Sequence, residues 1–205
     1  MSIYKAAFDS IYEALDNEKY DLALQLCLKP EIQLITLGKS LLAYTYAMKR
    51  SNVKSLEIAK TIIEAQPFDE PVVNTLGCAL KIIRADKELA ELYENAMKKK
   101  TFEDSFVIDL FSCYCRQLDP KNMQYVAQRL YKSHPDKVYY LYWSITCMLL
   151  QNLPTSMLVL TEKMCYKLHY ELKTLHQPAT DEMILYAYTL IKQGNKKKRT
   201  LEIFI

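Results

Sequence analysis

The sequence predicts an all-α fold, a right-handed superhelix of antiparallel helix pairs, and three observations carry that prediction. Only three glycines occur in 205 residues, too few for the tight turns on which all-β and α/β folds spend glycine. Half of the residues are hydrophobic, and they recur at helical spacing, as in Leu22, Ala23, Leu26 and Cys27. Pro67 and Pro135 stand 68 residues apart, twice 34, and a 34-residue period marks a helix–turn–helix repeat.

Setting those two prolines at repeat position 32 divides the centre of the chain into 36–69, 70–103 and 104–137 without a gap. The frame then collects the residue types of a tetratricopeptide repeat. The first repeat offers Leu42, Ala43, Tyr46, Ser55, Ala59 and Ile62, and the second Val73, Leu76, Gly77, Leu80, Leu89, Tyr93 and Ala96. The third offers Val107, Leu110, Tyr114, Met123, Ala127 and Leu130. Small side chains at positions 8 and 20, such as Ala43, Ser55 and Gly77, let the paired helices approach to roughly 8–10 Å. Phe111 is the exception at position 8. Proline at 32 stops the second helix of a pair because it cannot continue the hydrogen-bond ladder.

Taken in order, 3–15 reads as a helix closed by Asp16-Asn17, and its partner is ended by Pro30. This pair, 3–30, is a degenerate repeat displaced by about two residues from the frame. Helices over 33–49 and 52–66, 70–84 and 86–99, and 103–117 and 120–133 follow, with Ser51 in an exposed turn. Pro71 suits a first helical turn, and Asp119 can cap a helix whose first position is Pro120. The stretch 137–205 diverges: a helix over 137–151, a longer one over 155–175 after Pro154, and one opened by Asp181 and closed by Gly194-Asn195. Ten to twelve helices in one solenoid over 1–205 are expected. A solenoid normally ends on a capping helix with a polar outer face, whereas this chain finishes on Ile203-Phe204-Ile205 and reads as the first part of a longer superhelix.

No catalytic centre is legible. The three glycines, Gly38, Gly77 and Gly194, build no phosphate loop, and the pyrophosphate loop of acetyl-transferring enzymes is absent, so no cofactor is expected. His134, His169 and His176 form no zinc pattern, and no metal is expected. The cysteines at 27, 78, 113, 115, 147 and 165 lie in apolar helical runs without a CxxC pair and read as reduced core thiols. Tyr4, Lys5 and Asp9 interrupt any apolar run at the start, and no window reaches the ~18 apolar residues of a membrane span, so a cytoplasmic protein without a membrane partner is expected. A formal charge of +3 argues for no sequence-specific nucleic acid.

What remains is surface. The groove positions of the first helices offer Tyr44, Asn74, Lys81 and Arg116 for protein contact, although Ser40, Tyr44, Asn74 and Cys78 do not match the Lys and Asn of chaperone-tail clamps. The basic runs Lys98-Lys99-Lys100 and Lys196-Lys197-Lys198-Arg199 each follow a helix, where positive charge is favourable. The second run, with Lys196, Lys197, Lys198 and Arg199, is also the candidate contact for RNA or a ribosome surface. Tyr139, Tyr140, Tyr142 and Trp143 point in several directions on one helix, which favours core packing over a base-stacking platform.

Four stretches together resemble one family: 11–17 (IYEALDN), 59–70 (AKTIIEAQPFDE), 88–99 (ELAELYENAMKK) and 126–151 (VAQRLYKSHPDKVYYLYWSITCMLLQ). They look like the N-terminal region of the auxiliary, non-catalytic subunit of the N-terminal acetyltransferase B (NatB) complex, and the resemblance runs in order over about 11–195. It implies a scaffold that wraps a small catalytic acetyltransferase subunit and helps place it at the ribosome. That complex acetylates chains beginning Met-Asp, Met-Glu, Met-Asn or Met-Gln, with acetyl-CoA held by the partner. The family's members are several times longer, and the resemblance carries over no site residue. The alternative reading is a general tetratricopeptide adaptor that takes a peptide or protein partner in its groove.

Overall fold

A computed structural model gives the fold and describes residues 2–67, 69–99, 104–174 and 180–193. Among them are twelve α-helices and no strand: α1 (Ser2–Asp16), α2 (Tyr20–Cys27), α3 (Pro30–Gln33), α4 (Thr36–Met48), α5 (Asn52–Glu64), α6 (Glu70–Ile82), α7 (Asp86–Lys99), α8 (Asp104–Gln117), α9 (Pro120–Ser133), α10 (Val138–Leu149), α11 (Thr155–Thr174) and α12 (Thr180–Lys192). The fold is all-α and of tetratricopeptide type. The chain divides into two compact units, Met1–Cys113 and Tyr114–Ile205. Gly194-Asn195 and Ile203-Phe204-Ile205 lie outside the described residues.

The first unit shows why the frame has small residues where it does. Ser55 on α5 and Ala43 on α4 are both fully buried, and the Ser55 hydroxyl donates to the Ala43 carbonyl at 2.8 Å. Positions 20 and 8 of that repeat therefore touch backbone to side chain. In the next repeat Gly77 lies under the ring of Tyr93, where a Cβ would come 2.7 Å from the phenolic oxygen. A core of Ile11, Cys27, Ile32, Leu41 and Leu42 ties α1, α2, α3 and α4 together. Phe111, the exception at position 8, is half-buried.

One backbone device recurs with the repeat. Glu18, Arg50, Arg84 and Leu118 all have positive φ, between 54° and 60°, and each follows the first helix of a pair. At each turn two hydrogen bonds close the helix. The amide of Arg50 donates to the carbonyl of Ala47 (2.9 Å) and that of Ser51 to Tyr46 (2.8 Å). Arg84 to Lys81 (3.2 Å) with Ala85 to Leu80 (3.0 Å), and Leu118 to Cys115 (3.1 Å) with Asp119 to Tyr114 (3.0 Å), repeat the pattern. So do Glu18 to Leu15 (3.0 Å) and Lys19 to Ala14 (2.8 Å). This is the Schellman arrangement, which satisfies helix-end carbonyls by placing one left-handed residue after the cap. Residues 50, 84 and 118 are spaced by 34, and residue 18 precedes 50 by 32, so the first pair is shifted by the two residues its sequence suggested. None of these residues is glycine, and a left-handed side chain costs roughly 1–2 kcal/mol. Arg84→Gly is therefore expected to raise stability by about 0.5–1 kcal/mol in urea unfolding, with Arg84→Val lowering it; a destabilised glycine variant would show that the turn is not strained.

Three local expectations need correction. Pro30 does not merely end α2, which stops at Cys27; it occupies the first position of a separate one-turn helix, α3, because its fixed φ suits a helix start. The next helix accordingly opens at Thr36, later than 33. Ser51 is not an exposed turn residue; it is half-buried at the N-cap of α5, drawn in by its bond to Tyr46. Pro71 and Pro120 do lie in first helical turns, and the Asp119 carboxylate accepts from the Asn122 amide at 3.1 Å.

In the second unit Val138, Leu141, Ile145, Leu149, Cys165, Leu168, Leu185 and Tyr186 form one cluster, with Tyr131 and Tyr142 packed against it. Tyr140 is fully buried, its ring 5.3 Å from Trp143 and 4.4 Å from Tyr139, so the aromatic run is mostly packing. α10 does not end in the left-handed turn. Instead the Lys192 ammonium, from α12, donates to the carbonyls of Leu149 and Gln151, the latter at 3.1 Å.

Candidate protein-binding groove

A groove of about 250 Å³ runs across α1, α4 and α6 in the first unit, lined by Tyr12, Leu15, Asp16, Leu41, Tyr44, Asn74, Thr75 and Cys78. Its construction follows from the repeat. With the two-residue shift applied, Tyr12, Tyr44 and Cys78 are equivalent residues of three successive first helices. On a helix the residues three or four before and three or four after each of them share its face, which brings Leu15, Asp16, Leu41, Asn74 and Thr75 to the same wall.

Leu15 and Leu41 give the groove an apolar floor, Leu41 being almost fully buried. Around it stand hydroxyls, an amide, a thiol and one carboxylate. Partial burial pushes the Tyr44 phenol up, and nearby Cys78, Tyr20 and Asp16 push it further. Burial also raises the Tyr12 phenol, opposed by a side-chain hydrogen bond with Thr75.

The four sequence candidates fare differently. Tyr44 and Asn74 line the groove together. Lys81 does not; its ammonium is paired with Asp109 at 2.5 Å, and the same carboxylate accepts from Tyr93 at 3.5 Å. Arg116 is exposed and belongs to the second unit. Lys196, Lys197, Lys198 and Arg199 lie outside the described residues, as do Lys100 and His176, while Lys98 is exposed near the end of α7. Tyr12, Leu15 and Asp16 were not among the candidates, because the 34-residue frame, run back unshifted, passes over α1 out of register.

Cysteine placement corrects a second expectation. Cys27, Cys113, Cys147 and Cys165 are buried, but Cys78 is exposed in the groove rather than in the core. Burial pushes the thiols of Cys27 and Cys165 up to about 11 and that of Cys147 up to about 12, and a thiol so raised is a poor nucleophile. In the native state iodoacetamide is therefore expected to modify Cys78 first and the four buried thiols only after unfolding, as peptide mass mapping would report; faster loss of Cys147 than of Cys78 would contradict the placement. Among the described residues no group of three or more His, Cys, Asp or Glu is placed to hold a metal ion, and no helix is long and apolar enough to cross a membrane.

Comparison with known proteins follows the same lines. A family model described as the N-terminal TPR repeats region of Psidin matches residues 7–204. The chain is 26% identical over 203 residues to the human protein described as N-alpha-acetyltransferase 25, NatB auxiliary subunit, covering 94% of this chain and 20% of that protein. It is 30% identical over 94 residues to the Phagocyte signaling-impaired protein of Drosophila pseudoobscura pseudoobscura, covering 46% of this chain and 10% of that protein. The chain thus spans about a fifth or less of the length of these curated relatives. Among solved structures it superposes on YrrB, a TPR protein with an unusual peptide-binding site, with a TM-score of 0.54 at 12% identity over 94% of this chain and 88% of that one. Naa15/Naa10 bound to HypK-THB gives a TM-score of 0.57 at 12% identity over 95% of this chain and 35% of that one. At that identity both speak for the fold alone.

Proposed function

The chain belongs to the family of Psidin N-terminal TPR repeat regions, and from that membership we propose that it is a non-catalytic scaffold of an N-terminal acetyltransferase of NatB type. In this reading it holds a catalytic acetyltransferase subunit and assists association with the ribosome in the cytoplasm. The observation that carries the reading is the alignment with NatB auxiliary subunits over 94% of the chain. The physical character of the surface supports it. Stacked helix pairs present side chains over a long face, and repeat proteins bind partners over such faces rather than at one deep cleft. Every residue lining the groove lies within α1, α4 or α6 beyond the first turn, where backbone amides are engaged in the helix ladder and none converges on a pyrophosphate.

Two assays test the proposal. Acetyl transfer to a peptide beginning Met-Asp-Glu is expected only when a NatB catalytic subunit is added, and the chain alone is expected neither to turn over nor to bind acetyl-CoA. Co-sedimentation with ribosomes is expected to weaken with salt, and to weaken again when Lys196, Lys197, Lys198 and Arg199 are reversed to Glu, because ionic contacts of that kind are screened. Transfer by the chain alone would remove the scaffold reading. Failure to capture the catalytic subunit would remove this stretch from the interface that holds it.

A further inference from the structure

We propose that the groove across α1, α4 and α6 docks an extended segment of a partner protein that carries a lysine or arginine, with that cation at Asp16 and its apolar neighbours over Leu15 and Leu41. The inference rests on the scaffold reading and adds to it which stretch of surface takes a peptide and of what chemistry.

Charge selects the occupant. Of the eight lining residues only Asp16 carries a formal charge. It is the last residue of α1, where the helix dipole is negative, and no basic residue shares that turn. A carboxylate there is in the less favourable place, and no ion pair relieves it among the described residues. Two more exposed carboxylates, Asp9 and Glu13, precede it on α1 against the single Lys5. Lys81, the cation on α6, is held by Asp109 and offers the groove no compensating charge. Burial is the main reason the Tyr44 phenol is raised, and Asp16 adds the smallest push. A cationic side chain entering at Asp16 meets a matched partner, whereas an acidic segment is repelled.

Shape selects a peptide. The groove is open and shallow, with an apolar floor between polar rims. Asn74 is exposed on one wall and can both donate to and accept from a passing main chain, while Tyr12, Tyr44 and Thr75 offer hydroxyls. An extended segment uses such a wall by alternating side chains between floor and solvent.

The test uses the full chain and short fluorescein-labelled peptides of alternating Leu/Lys, Leu/Glu and Leu/Ser, read by fluorescence anisotropy. The Leu/Lys peptide is expected to bind at least roughly tenfold tighter than the Leu/Glu peptide, a preference that Asp16→Asn erases and that Glu57→Gln, an exposed charge on α5, leaves intact. The same peptide is expected to slow alkylation of Cys78, which places it in the groove. Equal binding of the acidic peptide, an Asp16→Asn variant with undiminished preference, unprotected Cys78, or no binding of the Leu/Lys peptide would each overturn the proposal. Capture of the catalytic subunit by the wild-type chain, measured in parallel, separates the two failures: loss of the peptide preference with capture retained sinks only the groove assignment, and loss of capture sinks the scaffold reading.

Discussion

Gly38→Ala is expected to destabilise the protein by about 3 kcal/mol, although alanine in a helix interior is normally worth about 1 kcal/mol over glycine. The sign reverses because Gly38 is pressed against α3. A Cβ there would come 2.2 Å from the Ile32 carbonyl oxygen, 2.6 Å from its Cγ2 and 3.0 Å from its carbonyl carbon. The obstacle is backbone, so no rotamer change removes it. The Ile32 carbonyl also accepts from the Ile35 amide at 3.1 Å, and the Gln33 side-chain Nε2 donates to the Cys27 carbonyl at 2.6 Å. To admit one methyl group, α3 must shift and give up bonds on both sides. Overpacking of ordinary cores costs about 1–3 kcal/mol, and a backbone obstacle puts this site at the top of that range. Urea unfolding of Gly38→Ala beside the exposed neighbour Lys39→Ala checks it. A Gly38→Ala protein as stable as the wild type would mean that α3 is not seated on α4 as described.

Gly77→Leu is expected to cost about 1–3 kcal/mol, and here the obstacle is a side chain, so a partner substitution can relieve part of it. A Cβ at 77 would meet the Tyr93 Oη at 2.7 Å and its Cε1 and Cζ at 3.3 Å. Tyr93 is almost fully buried, sits edge-on to Phe106 at 5.4 Å and bonds Asp109. Burial, with the Asp109 carboxylate next, holds its phenol well above the ordinary tyrosine range, so it stays protonated and in place. The milder Gly77→Ala collides chiefly with the hydroxyl. In a double-mutant cycle with Tyr93→Phe, the pair is expected to be more stable than the sum of the single changes by roughly 0.5–1 kcal/mol. Glu57→Leu, exposed on α5, is the control for added bulk and is expected to be near neutral. Additive effects in the cycle would remove the Gly77–Tyr93 contact from the account.

Gly77 was legible in the sequence because three signals agreed there: the proline frame, the Leu-Gly pair and the aromatic sixteen residues on. Gly38 was not, since position 3 of a repeat makes no demand for a small residue. Its reason is α3, and α3 was hidden because Pro30 reads equally well as the end of one helix and the start of another. The left-handed turns were hidden for a different reason. Arg50, Arg84 and Leu118 are residues that avoid positive φ, so local preference points away from the conformation they adopt; only their 34-residue spacing reveals it. The α1 side of the groove, Tyr12, Leu15 and Asp16, was missed through the same two-residue slip that places Glu18 at 32 rather than 34 before Arg50. Tyr44 and Asn74 lay inside the clean frame and were found; Tyr12 and Asp16 lay outside it. Lys81 lies outside the groove lining, its ammonium paired with Asp109, a pairing that no sequence pattern marks.

The bond from Lys192 to the end of α10 makes two distant stretches of chain share one opening event. The last carbonyl of α10, that of Leu149, depends on a side chain that arrives from more than forty residues later, and so does the Gln151 carbonyl just beyond the helix. When α12 lifts away, that ammonium leaves with it, and the Leu149 carbonyl that closes α10 loses its cover at the same moment. Amide exchange at the α10 terminus should then follow the α12 rate rather than that of the rest of α10, so the two ends breathe as one cooperative element.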